Sequence, residues 1–69
     1  MREVMVLIVG DYLHSYTNIE FDTVENLDKL IDEAVDELGI GCVFVRIEEK
    51  EIFTQEEVVF LQENHIEIY

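Results

Sequence analysis

Val4-Met5-Val6-Leu7-Ile8-Val9 is an unbroken apolar run near the start of the chain. Six residues are far too few to cross a bilayer, which takes roughly 20 in a helix, and fewer than an ordinary helix needs. The run is rich in side chains that favour strands and it does not alternate, so it reads as a central strand covered on both faces. A strand of that kind obliges the rest of the chain to supply neighbours and a cover. Gly10-Asp11 ends it. Tyr12 to Thr17 shows no period and reads as a loop, while Asn18-Ile19-Glu20-Phe21 alternates as a short strand, giving a hairpin with a wide loop.

The cover comes next. Val24, Leu27, Leu30, Ile31, Ala34, Val35 and Leu38 fall on one stripe at helical spacing, which predicts an amphipathic helix. Asp22 or Thr23 caps its start and Gly39 stops it. Cys42 to Ile47 reads as a second buried strand, Glu48 to Glu51 as a tight turn, and Ile52-Phe53 as a short return strand. Thr54-Gln55-Glu56-Glu57 has the spacing of a capping box, with Phe53 and Val58 at the positions of a hydrophobic staple. A second helix therefore runs from there to about Asn64, burying Val58, Leu61 and Phe60. Ile66 to Tyr69 alternates as a final edge strand. The expectation is a single α+β domain over residues 1–69, approximately ββαββαβ, with two helices on one face of a mixed sheet.

Composition decides what such a domain can bind. Seventeen Asp and Glu face four Lys and Arg in 69 residues, a formal charge of −13. Arg2, Lys29, Arg46 and Lys50 are too few and too scattered to make a basic patch, so direct binding to nucleic acid or to an anionic membrane is excluded as an expectation. Disorder is excluded as well. Charge-driven disorder goes with low hydrophobicity, whereas 49% of this chain is hydrophobic and it holds no Pro. One cysteine, Cys42, permits no internal disulfide and fits a reducing compartment. With no signal-peptide core and no spanning segment, the expected location is the cytoplasm.

The acids are not spread evenly. Glu25, Asp28, Asp32 and Asp36 step by three, four and four along the first helix, opposite its apolar stripe, with Glu33 and Glu37 beside them and only Lys29 between. Like charges four apart cost a helix roughly 0.2–0.5 kcal/mol per pair, and acids in the last turn oppose the helix dipole. Local stability would choose other residues. A four-residue step advances about 6 Å, and the seven acids from Asp22 to Glu37 span about 24 Å. That approaches one charge per 3.4 Å, the axial spacing of phosphates on one DNA strand. A second acidic patch is expected from Glu48, Glu49 and Glu51 at the turn with Glu56 and Glu57 opening the second helix.

Other chemistries find less support. No segment has the alternating oxygen ligands and glycine turn of a calcium loop. His14 and His65 are remote from each other and belong to no metal-binding spacing. Cys42, at the start of an apolar strand, reads as inert core. No carboxylate pair is placed in a visible cleft, and Gly10-Asp11 and Gly39-Ile40-Gly41 lack the further glycines of a dinucleotide site. No catalytic residue, metal or cofactor is therefore expected. Tyr12, Tyr16 and Tyr69 are either sheet packing or interface anchors.

In size, in charge and in the stripe Glu25, Asp28, Asp32, Asp36, the chain resembles the small acidic phage-encoded DNA mimics that inhibit host DNA-binding proteins. Within that class it looks most like inhibitors of HU-type nucleoid proteins. The resemblance covers the chain as a physical type and carries no alignable motif, so the site residues come from helix geometry alone. It implies a non-enzymatic inhibitor that occupies the basic DNA-contacting surface of a host protein in the host cytoplasm. Nucleases, repair glycosylases and RNA polymerase stay open as targets of the class. A homodimer, formed through an edge strand or an apolar face, is expected. The alternative is a small acidic interaction or regulatory domain whose charge serves solubility or salt adaptation, and a weaker third is a hydrolase or metal protein.

Overall fold

The computed structural model describes residues 1–39 and 41–69, with the backbone alone at 42 and 43. The expectations for Ile40 and for the Cys42 side chain lie outside the described residues. The elements are β1 (Arg2–Gly10), β2 (His14–Phe21), α1 (Val24–Leu38), β3 (Cys42–Ile47), α2 (Gln55–Glu63) and β4 (Ile66–Ile68). They form an α+β domain whose mixed sheet has the order β2-β1-β3-β4. β1 pairs antiparallel with both β2 and β3, and β4 joins β3 in parallel.

The helices begin and end where their sequence signals lie. Thr23 caps α1, its hydroxyl accepting from the Asn26 N–H at 3.1 Å, and Gly39 closes it in the left-handed region at φ 64°. Thr54 and Glu57 form the reciprocal capping box of α2, and the flanking Phe53 and Val58 are both buried, as a staple requires. α2 ends without glycine. His65 takes the left-handed position there at φ 67°, a conformation that costs a residue with a Cβ roughly 1–2 kcal/mol.

Two segments depart from expectation. Residues 14–17 are strand and not loop: β2 runs the whole length from His14 to Phe21, and the turn shrinks to Asp11-Tyr12-Leu13. Its polar first half is stable as strand because β1 offers a full ladder to pair with, while its outer side faces solvent. Ile52 and Phe53 make no return strand. Lys50–Ile52 is a single 3-10 turn, which suffices to lead the chain into α2.

One sheet face supplies the core: Val4, Val6 and Ile8 from β1, Ile19 and Phe21 from β2, Val45 and Ile47 from β3, Ile66 and Ile68 from β4. Val24, Leu27 and Ile31 of α1 and Val58 and Leu61 of α2 complete it. β1 is thus central within the sheet, but the helices cover only one of its faces, against the expectation of cover on both. On the other face Met5 is 40% exposed, while Leu7 is shielded to 7% in a hollow shared with Tyr16, Arg46, Glu48 and Glu49.

Arg2 fastens the end of β1 to the start of α2. Its guanidinium meets both oxygens of Glu57 at 2.9 Å, donates to the Ile52 carbonyl at 3.2 Å, and lies over the ring of Phe21 at 4.9 Å. Phe21 in turn stacks on Phe53 at 5.8 Å between centroids. The paired guanidinium, with the Thr54 N–H, holds the Glu57 carboxyl down from 4.5 to about 2. A depressed acid stabilises the fold fully above its unfolded pKa and loses that contribution as pH falls towards its folded one. Glu57→Gln is therefore expected to lower unfolding free energy by about 1–2 kcal/mol at pH 7. The difference from wild type should close between pH 4.5 and about 2 in urea titrations. His65→Gly, which removes the Cβ from a left-handed position, should raise stability by about 1 kcal/mol in the same assay.

Candidate functional site

α1 is amphipathic because its buried stripe spends every inward position on Val, Leu, Ile or Ala, leaving the acids no place but outside. Glu25, Asp32, Glu33, Asp36 and Glu37 are exposed, and Asp28 is half-buried at the border of the stripe. Glu25 is the acid of the first turn, and the last turn contains no basic residue, so nothing there answers the helix dipole. The expected row Glu25, Asp28, Asp32, Asp36 does run along one side of a continuous helix.

The two flanks of that row have different surroundings. Asp28 and Asp32 share a hollow with Val35, Asn64, His65 and Ile66, towards α2 and β4. Glu33 and Glu37 border Asn18, Ile19 and Glu20, towards the β2 edge. Burial pushes the Asp28 carboxyl above its usual range, and the charge of Asp32 adds to the effect. Both influences disfavour the ionised form, and no cation is placed against Asp28 to offset them among the described residues.

The second patch is not one surface. Glu56 and Glu57 open α2 beside Asp22 and Glu25, which open α1, so the first turns of the two helices form one acidic corner. Within it Glu57 is committed to Arg2 and to the Thr54 cap. Glu48 and Glu49 lie instead with Met5, Leu7, Tyr16 and Arg46, at the sheet face away from the helices. The Glu49 carboxylate accepts from the Met5 N–H at 3.4 Å. Glu51 is exposed on the 3-10 turn between the two groups. The fold therefore adds Glu56 to the α1 row and separates Glu48 and Glu49 from it.

The cations are distributed unevenly. Arg2 is paired with Glu57, and Arg46 with Glu67 at 3.4 Å, Arg46 lying over the rings of Phe44 and Tyr69 at 5.0 and 5.1 Å. Lys29 and Lys50, both exposed, are left among the remaining acids. Among the described residues no three His, Cys, Asp or Glu side chains converge as metal ligands, and no helix is long and apolar enough to cross a membrane. Sequence reasoning overlooked the open sheet face, where Met5, Tyr16 and Tyr69 are exposed. The signal was present in the alternation from His14 to Phe21, which extends the visible strand by four residues.

Comparison of the chain with protein-family models, with curated proteins and with solved structures finds no match.

An acid whose pKa is raised in the folded state opposes folding when ionised; that cost lessens as pH falls below the folded value and is gone below the unfolded one. Asp28→Asn removes one like-charge pair at four-residue spacing and is expected to gain about 0.2–0.5 kcal/mol at pH 7. The gain should disappear on acidification, as followed by urea unfolding across pH.

Proposed function

We propose that the chain is a DNA mimic: it binds the basic DNA-contacting surface of a host DNA-binding protein, an HU-type nucleoid protein being favoured, and excludes DNA from it. The observation that carries this reading is the α1 row. Its carboxylates continue into the last turn, which holds no basic residue, with Lys29 the one cation of the helix, and half-buried Asp28 stands one turn from Asp32. A merely solvated helix face gains from interspersed Lys, whereas a row that must lie along a target's Lys and Arg gains from their absence. The neighbouring Asp22 and Glu56 extend the same surface at the first turns.

Recognition of this kind is electrostatic and therefore fast and salt-sensitive. The carboxylates would accept charge-assisted hydrogen bonds from the target's cations. No reaction is involved, and no cofactor is called for. The Asp28 carboxylate contributes more to binding than an exposed acid does, because it is already partly desolvated.

The test is displacement of a fluorescent DNA duplex from an HU-type protein, followed by anisotropy. The chain should release the duplex in proportion to its concentration, and raising salt should weaken the competition steeply. Asp32→Lys with Asp36→Lys should abolish displacement while the fold, read by circular dichroism, persists. Undiminished displacement by that variant would remove the α1 row from the interface. No displacement by the wild-type chain, from this or any other basic DNA-binding protein, would end the mimicry reading.

A further inference from the structure

We infer that the outer edge of β2 is a dimerisation surface, and that it pairs antiparallel with β2 of a second copy in one register centred on Thr17. The inference starts from the β1–β2 ladder. Gly10 donates its N–H to the Leu13 carbonyl at 2.9 Å, and these two residues continue the register that aligns Val9 with His14 and Arg2 with Phe21. In an antiparallel ladder, bonded and non-bonded pairs alternate. Ser15, Thr17, Ile19 and Phe21 therefore direct their backbone groups to β1. His14, Tyr16, Asn18 and Glu20 direct theirs outward, where no strand of the described residues receives them, since β2 ends the sheet.

An edge of this length is normally blunted by proline, by a bulge or by charges that forbid pairing. β2 has none of the first two: its register against β1 is unbroken over all eight residues, and the chain holds no Pro. Its charges favour one partner. Only outward-directed residues can bond across a new seam, so each must face another of the same set. Aligning His14 with Glu20 of the second copy, and Tyr16 with Asn18, engages all of them. A slip by two residues in either direction leaves one of them on each copy outside the ladder. In the full register the histidine and the carboxylate stand opposite each other at both ends, and Thr17 meets its own counterpart on the twofold axis.

A further observation points to the same occupant. Glu20 lies directly opposite Glu3 on β1, a like-charge pair that destabilises the hairpin. The second copy's His14 would sit at Glu20 from its other side and offer that carboxylate a ring N–H. The interface is isologous, as closed dimers require. Its twofold axis is normal to the sheet, so both helix layers lie on one side. Glu33 and Glu37 border the β2 edge, and the two α1 helices run antiparallel beside the seam. If the reading of α1 as a phosphate row holds, the dimer presents two antiparallel rows, as a duplex does. Dimer formation itself rests only on the strand edge.

The repulsion between two such acidic copies is screened by salt. Dimerisation is thus expected to strengthen as salt rises, the opposite of binding to a basic target, so failure of one is distinguishable from failure of the other. Sedimentation equilibrium of the whole chain should show a dimer at micromolar concentration. Asn18→Pro should yield a folded monomer, because the lost N–H points out of the sheet and proline is tolerated there. Glu20→Lys should weaken the dimer by about threefold to tenfold, and His14→Glu added to it should restore the affinity. In a Cys42→Ser background, Thr17→Cys should form a disulfide-linked dimer on mild oxidation. The symmetric non-bonded pair places Cα atoms about 4.5 Å apart, within disulfide range. Ser15→Cys, facing Ile19 across the seam, should not. A wild-type chain that stays monomeric in high salt, a folded Asn18→Pro variant that still dimerises, or a dimer in which Thr17→Cys fails to cross-link would each overturn the assignment.

Discussion

Arg2 grips the Glu57 carboxylate through both terminal guanidinium nitrogens, and that contact joins the first strand of the sheet to the opening turn of the second helix. The same carboxylate caps the helix through the Thr54 N–H, and the same guanidinium covers the ring of Phe21. Hydrogen bonding, capping and packing therefore meet at one place, across 55 residues of sequence. A small domain buries little surface and leans on few such fasteners. This one also decides the fate of two scarce residues: one of four cations is consumed internally, and one acid is withdrawn from the surface.

The rest of the charge follows from that economy. With Arg2 and Arg46 engaged by Glu57 and Glu67, the outer helix face has almost no cation to intersperse among its carboxylates. Stability alone would relieve this at little cost, since an exposed helix position accepts Lys or Gln freely. The chain instead keeps Asp28 half-buried beside Asp32, where burial and that charge both push its carboxyl above its usual range. Local energetic conflicts of this kind concentrate at functional sites more often than at random ones, which is the physical ground for treating the α1 row as an interface.

Much of this architecture was legible before any coordinates. Both helices announced themselves through periodicity and caps, and Gly39 and Thr54 took the roles that their chemistry predicted. The departures are matters of context. Residues 14–17 are polar and read as a loop, yet they pair as strand because β1 presents an unpaired ladder beside them. Ile52 and Phe53 read as a strand, yet a three-residue turn is enough when the next helix begins at once. In both cases a neighbouring element decides, and the propensity of the segment itself does not contain it. The second acidic patch is divided by its surroundings as well, since residues eight positions apart, Glu48 and Glu56, end on opposite sides of the sheet.

The sequence by itself determined the excess of acid, the helix that displays it and the single apolar layer that the helices cover, because period and composition are local properties. Only the tertiary structure decided that the apolar run of β1 is covered on one face and not two. It also decided that Arg2 spends its charge on Glu57, and that β2 stands at the edge with its odd residues bonded to β1 and its even ones directed outward. Strand order and ladder phase are relations between distant segments, set by how one small core closes, and no reading along the chain contains them.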